Sequence, residues 1–285
     1  MYTSTKLYEI ITQKVIISLE KGVIPWVKPW KGASLPMNFK TGYKYKGINL
    51  LLLALSGFNV PYFLTFNQVR ELGGKVKRGA EASLVIFWSW KEKSKTVDGK
   101  EETETYPVLQ YYHVFNITQT DGIEYESRFD QMENFNPLAI CDEVVLGYED
   151  SPAIEHNEQR AYYHTEKDLI NMPSKKSFRS EEDYYKTLFH EMIHSTGNRS
   201  RLNRDIPAVL NDRSEYSKEE VIAELGATFL CGHTHIEANL IDDSASYIEF
   251  WLKQLKQDKK FVFSVSSQAQ KAVEYILGQT NYAGA

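Results

Sequence analysis

The chain has almost no cysteine: two in 285 residues, Cys141 and Cys231, far apart and in no CxxC spacing. That excludes a disulfide framework and a cysteine-built metal knuckle, and leaves both as buried apolar residues. Long hydrophobic runs are also missing. The longest apolar stretch, Leu50 to Leu55, falls far short of the ~20 residues that span a bilayer. The opening Met1-Tyr2-Thr3-Ser4 lacks the basic-then-apolar pattern of a secretory signal. No membrane association and a cytoplasmic location are therefore expected. There is no internal repeat or low-complexity segment. A hydrophobic share of 42% supports a real core in one large or two ordinary domains.

Charge is present in excess, and unevenly. Residues 1–100 hold 16 Lys and Arg against 6 Asp and Glu, leaving 17 against 32 for residues 101–285. A first third at +10 joined to a remainder at −15 implies two domains, the first with an anionic partner such as nucleic acid. The competing reading is that the basic and acidic segments neutralise one another inside the protein.

The acidic part contains His190-Glu191-Met192-Ile193-His194. On a helix, residues four apart stand one above the other, so two imidazoles can reach one metal ion with Glu191 beside them. This is the HExxH arrangement of zinc hydrolases, in which the carboxylate takes a proton from water. Ser180 with Asp183 reads as the helix start. Tyr184, Tyr185, Leu188, Phe189, Met192 and Ile193 give the helix an apolar surface broad enough to bury it. Zn²⁺ is the expected ion, although another divalent metal could serve.

A third ligand should come from the next helical run, Ser217 to Gly232. Ser217-Lys218-Glu219-Glu220 fits a capping box, which would occupy the Glu220 carboxylate with the backbone. Glu224, one turn on and beside the small residues Gly226 and Ala227, is the preferred third ligand, with Glu220 as the alternative. Position 200 is serine, so a third histidine in an HxxGxxH continuation is disfavoured. His164, His233 and His235 read as ordinary hydrogen-bonded histidines.

In the basic part, aromatics alternate with cations: Trp26, Lys28 and Trp30 among prolines, then Lys40, Tyr43, Lys44, Tyr45 and Lys46, then the turn Lys75, Lys77, Arg78. Unpaired bases stack on exposed rings while lysines follow phosphates, so these residues are the candidate surface for single-stranded DNA. Aromatics also dominate cores, and Tyr43 and Tyr45, flanked by lysines on both sides, are the ones expected to be exposed.

Periodicity predicts an amphipathic helix over 4–21 and helices from Gly47 to Leu55 and after a Thr65/Gln68 capping box. Strands are predicted from Ser83 to Trp90 and Pro107 to Ile117, with a polar boundary region from Thr118 to Asn136. A helix from Pro137, short strands around 161–173 and helices over 245–256 and 266–277 complete the reading. The expected fold is α+β, with a mixed α/β domain at 1–127 and a metal-binding domain at 128–285.

Ordered matches along nearly the whole chain carry a family resemblance. They include Pro25-Trp26, Asn38, Thr41-Gly42, Gly47-Ile48-Asn49, Leu64-Thr65-Phe66, Gly73-Gly74, Val114-Phe115-Asn116, Phe178-Arg179-Ser180, Leu188-Phe189-His190-Glu191, His194, Gly197 and Glu220 to Leu230. The chain resembles ArdC-type antirestriction proteins of mobile elements, and is similar also to the N-terminal region of TraC-type plasmid primases. The resemblance implies a single-strand DNA-binding N-terminal domain and a zincin-like metallopeptidase domain. It implies ligands His190, His194 and a glutamate carried onto Glu224, with Glu191 catalytic, and protection of incoming DNA from restriction. Two functions follow. One is a zinc peptidase acting on a host protein; the other is a DNA-shielding protein whose metal is structural.

Overall fold

A computed structural model describes residues 2–26, 35–97, 100–126, 136–204, 218–236 and 245–279. Helix α1 (Ser4–Glu20) starts where the Thr3 hydroxyl accepts from the Lys6 amide, and it buries Leu7, Ile11, Val15 and Leu19. That is the stripe its periodicity dictates. Gly22, at φ +71°, lets the chain turn away.

The four-stranded sheet has the order β1 (Met37–Asn38), β2 (Tyr62–Leu64), β5 (Lys100–Asn116), β4 (Ser83–Val97). Strands β1 and β2 are parallel; β2 and β4 both pair antiparallel with β5. Helix α2 (Ile48–Ala54) packs on β4. In front of α3 (Phe66–Glu71), Thr65 and Gln68 form the anticipated reciprocal cap, at 3.3 and 2.9 Å. Strands β3 (Lys75–Val76) and β6 (Thr120–Asp121) make a small separate pair.

Strands β4 and β5 are longer than composition suggests. Their distal halves are charged and polar, yet they pair continuously from Ser83↔Val114 to Val97↔Lys100. The charged residues conceal the strand because over 90–94 and 103–107 the ribbon meets solvent on both faces and shows no alternation.

Helix α4 (Pro137–Leu146) begins with Pro137 at its first position and the Asn136 side chain accepting from Leu138 at 3.1 Å. Strands β7 (Ala153–Glu155), β8 (Tyr162–His164) and β9 (Leu169–Asn171) form a sheet of order β7-β9-β8 against α5 (Glu181–Thr196). Helix α6 (Lys218–Thr234) packs between α5 and α8 (Phe261–Ile276), and α7 (Ala245–Gln257) lies on α1. Helix α8 starts at Phe261, earlier than predicted, because Phe261, Val262 and Val265 extend its buried stripe.

The main apolar core runs from Leu7 to Ile276, and a smaller cluster gathers Met37, Tyr62, Leu64, Val69 and Ile117. The expected division between 127 and 128 falls outside the described residues. Buried contacts nevertheless join the two halves, through α1 on α7 and α2 on α8. No helix among the described residues is long and apolar enough to cross a membrane.

Candidate metal centre

Helix α5 is built to start where it does. The Ser180 hydroxyl accepts from the Asp183 amide at 3.1 Å, and Glu181, Glu182 and Asp183 place negative charge at the positive end of the helix. Its second half is buried on all sides, including His190, Glu191 and His194.

Helix α6 crosses it closely. A Cβ at Gly226 would lie 2.7 Å from Ile193, so only glycine permits this approach. The two helices run antiparallel, with Glu219 and Glu220 opposite His194 and Glu224 opposite His190 and Lys186.

The Nε2 atoms of His190 and His194 stand 3.0 Å apart. Glu220 places Oε2 3.4 Å from Nε2 of His190 and Oε1 3.3 Å from Nε2 of His194. Three ligand atoms of this group lie within 4.8 Å of one another. Tetrahedral ligands at 2.0–2.1 Å from Zn²⁺ are separated from each other by about 3.3–3.4 Å. The donor set therefore fits a divalent ion in both chemistry and spacing.

Glu224, expected as the third ligand, is placed differently. Its Oε2 lies 3.6 Å from Nδ1 of His190, the nitrogen on the far side of the ring from the Nε2 pair. The Glu220 carboxylate, the alternative ligand, is the one that groups with the two histidines, and its expected cap partner, Ser217, lies outside the described residues. Glu191 is buried on α5 between the histidines, and its charge acts on His194.

A second layer holds His194. Oε1 of Glu219 is 3.4 Å from Nδ1 of His194, and Arg204 donates to both oxygens of Glu219 at 3.0 and 2.7 Å. Arg204 also donates to Thr196 Oγ1 and the Ile193 carbonyl, each at 2.8 Å. Sequence reasoning missed both residues. Glu219 was readable only as part of an acidic helix start, and nothing local marks Arg204.

Burial alone would push the His194 imidazole down, but the negative charge of Glu220, with Glu219 and Glu191, lifts it to about 10. His190 is raised in the same way: burial opposes, and Glu220 and Glu224 outweigh it. Burial likewise pushes Glu220 up, and the two imidazoles hold its carboxyl far below the usual range. The pocket therefore stores an attraction for positive charge, which a divalent cation satisfies.

Of the candidate DNA surface, Trp26 and Tyr45 are buried, while Lys40, Tyr43, Lys44, Lys46, Lys75, Lys77 and Arg78 are exposed. Trp26 is 3% exposed, donates from Nε1 to Tyr247 at 3.0 Å and lies 4.2 Å from the Trp251 ring. Tyr45 is 1% exposed, edge-on to Phe63. Neither can stack on a base, because each ring fills the core. Lys28 and Trp30 lie outside the described residues. Lys40 is paired with Glu71, and Lys46 with Glu274 at 2.6 Å. Lys77 donates to the Thr118 carbonyl at 2.9 Å. Tyr43, Lys44, Lys75 and Arg78 are exposed as expected.

Known proteins share this architecture. Residues 5–115 match the N-terminal domain of anti-restriction factor ArdC, and residues 147–268 match a zincin-like metallopeptidase family. The crystal structure of the metal-free antirestriction ArdC protein from the R388 plasmid superposes with a TM-score of 0.78. It is 34% identical and covers 96% of this chain and 97% of that one. The chain belongs to the ArdC family of antirestriction proteins. The Mn(II)-bound structure of that ArdC protein is as similar, at a TM-score of 0.77 and 33% identity over 98% of this chain and 99% of that one.

Two Escherichia coli proteins called DNA primase TraC are 29% and 30% identical over 95% of the chain. The chain spans only 27% and 20% of their lengths. Protein y4eC of Sinorhizobium fredii is 27% identical over 97% of this chain and 93% of its own length.

Proposed function

We propose that this ArdC-family protein binds single-stranded DNA through its basic part, about 1–127, and carries a zinc-dependent peptidase site in its acidic part, about 128–285. It would act in the cytoplasm to shield the entering DNA of a mobile element from restriction. The convergence of His190 Nε2, His194 Nε2 and the Glu220 carboxylate carries the metal reading. Three protein ligands leave one position for water, the pattern of catalytic rather than structural zinc sites.

A bound divalent ion would polarise a carbonyl and acidify a water molecule. With that ion held by His190, His194 and Glu220, Glu191 would serve as the proton acceptor and donor; Glu219 holds the His194 ring, and Glu224 stands behind the His190 ring. A host protein is the proposed substrate. The Mn(II) in the relative supports a divalent ion; the two-imidazole, one-carboxylate donor set is of the kind that binds Zn²⁺.

The test is Glu191→Gln in the full chain, with metal content and melting measured alongside. Loss of protection in conjugation with metal retained supports catalysis. Retained protection with intact fold and metal would assign the effect to DNA shielding.

A further inference from the structure

Hairpin β4–β5 leaves the body of the protein and takes four large rings with it. Phe87, Trp88, Trp90 and Tyr106 are 41–63% exposed. From Trp90 to Ser94, and over 103–107 on the partner strand, every residue is exposed, so both faces of the ribbon meet solvent.

Register separates the rings. Trp88 and Trp90 share one face, opposite Leu109 and Pro107; Phe87 and Lys91 share the other, with Tyr106 directly across from Lys91. The Phe87 ring lies 5.8 Å from Tyr112. Exposed Tyr43 lies 5.7 Å from the buried Tyr45.

We infer that this hairpin is the stacking arm for single-stranded nucleic acid, with Trp88 and Trp90 as its principal platforms. The inference rests on the single-strand reading above and relocates it from Trp26 and Tyr45, which the core occupies. Indoles two residues apart on one strand face are separated by about 6.4–6.8 Å. That is about twice the 3.4 Å step of a nucleic-acid strand, so one base plane fits between them. Exposed Lys91 and Lys93 stand on the other face with Phe87, and exposed Glu92 shares the indole face, so stacking on the two indoles carries the inference and the lysines add phosphate attraction only from the far side of the ribbon. The same charges argue against a second copy of the chain as occupant, because protein interface cores are depleted in Lys and Glu.

The experiment uses the full chain, a fluorescein-labelled oligo-dT and anisotropy, with melting and gel filtration on each variant. Trp88→Ala/Trp90→Ala should bind at least about tenfold more weakly with unchanged melting. Trp88→Phe/Trp90→Phe should recover most of that loss. If wild type binds and the alanine pair binds equally well, the hairpin assignment is overturned while the single-strand reading stands. If wild type does not bind, the reading itself fails and takes the inference with it. A dimer that the alanine pair disrupts at unchanged dT affinity would make the hairpin a contact between copies and overturn the inference.

Discussion

Glu219 stands between a cation and a ligand: its carboxylate takes two hydrogen bonds from Arg204 and lies 3.4 Å from Nδ1 of His194. An imidazole held at Nδ1 presents Nε2 in a fixed direction, which places the metal-facing atom before any ion arrives.

Glu219→Gln should therefore lower divalent-metal affinity by about 10–100-fold, measured by competition with a chelator. Arg204→Ala should in addition destabilise the fold by about 3–5 kcal/mol, because it leaves Glu219 charged, buried and short of its partner. Metal affinity unchanged in Glu219→Gln would remove the positioning role.

The two α6 carboxylates separate by the same measurement. Glu220→Ala should abolish stoichiometric metal binding, since it removes the carboxylate facing both Nε2 atoms. Glu224→Ala should weaken binding only partly, acting through the His190 ring. The reverse order would restore Glu224 as the ligand.

Gly226→Ala should cost about 1–3 kcal/mol, as the added methyl meets Ile193 at 2.7 Å. Denaturant unfolding of Gly226→Ala/Ile193→Ala should show less destabilisation than the sum of the single changes. Additive losses would contradict the close crossing.

Two tyrosines that look equivalent in sequence should behave in opposite ways. Tyr45→Ala should lower stability by about 3–5 kcal/mol, as a fully buried ring. Tyr43→Ala, 54% exposed in wild type, should leave melting unchanged and weaken oligo-dT binding.

Asp168 supplies a pH dependence through a carboxylate outside the metal-facing group. Arg201 donates to its Oδ2 at 3.0 Å and Tyr163 to its Oδ1 at 2.7 Å. Burial alone would raise this carboxyl, but the guanidinium and the phenol outweigh it and hold it below 3.8. A depressed carboxyl contributes stability that is complete above its unfolded value and lost as pH falls through its folded value. Asp168→Asn should thus lower the melting temperature at pH 7, and its gap to wild type should shrink below about pH 4. An equal gap at pH 7 and pH 3 would rule this pair out as the source.

Much of this was legible before any coordinates. A four-residue spacing on a helix puts His190 and His194 on one face wherever that helix lies, and the Thr65/Gln68 cap and the α1 stripe are equally local. Which carboxylate faces the two Nε2 atoms was not. Glu220 and Glu224 share a face of α6, and which one meets the Nε2 pair depends on where α5 crosses, a matter settled at Gly226 and Ile193.

Sequence by itself determined the helix-borne histidines, the α+β pattern and the uneven charge, because each depends on residues near one another along the chain. Tertiary structure alone decided that Trp26 and Tyr45 go inward while Trp88 and Trp90 stay out, and that Arg204 reaches Glu219. A ring between lysines has the same composition in a core or on a surface, and only the surfaces packed around it remove it from water.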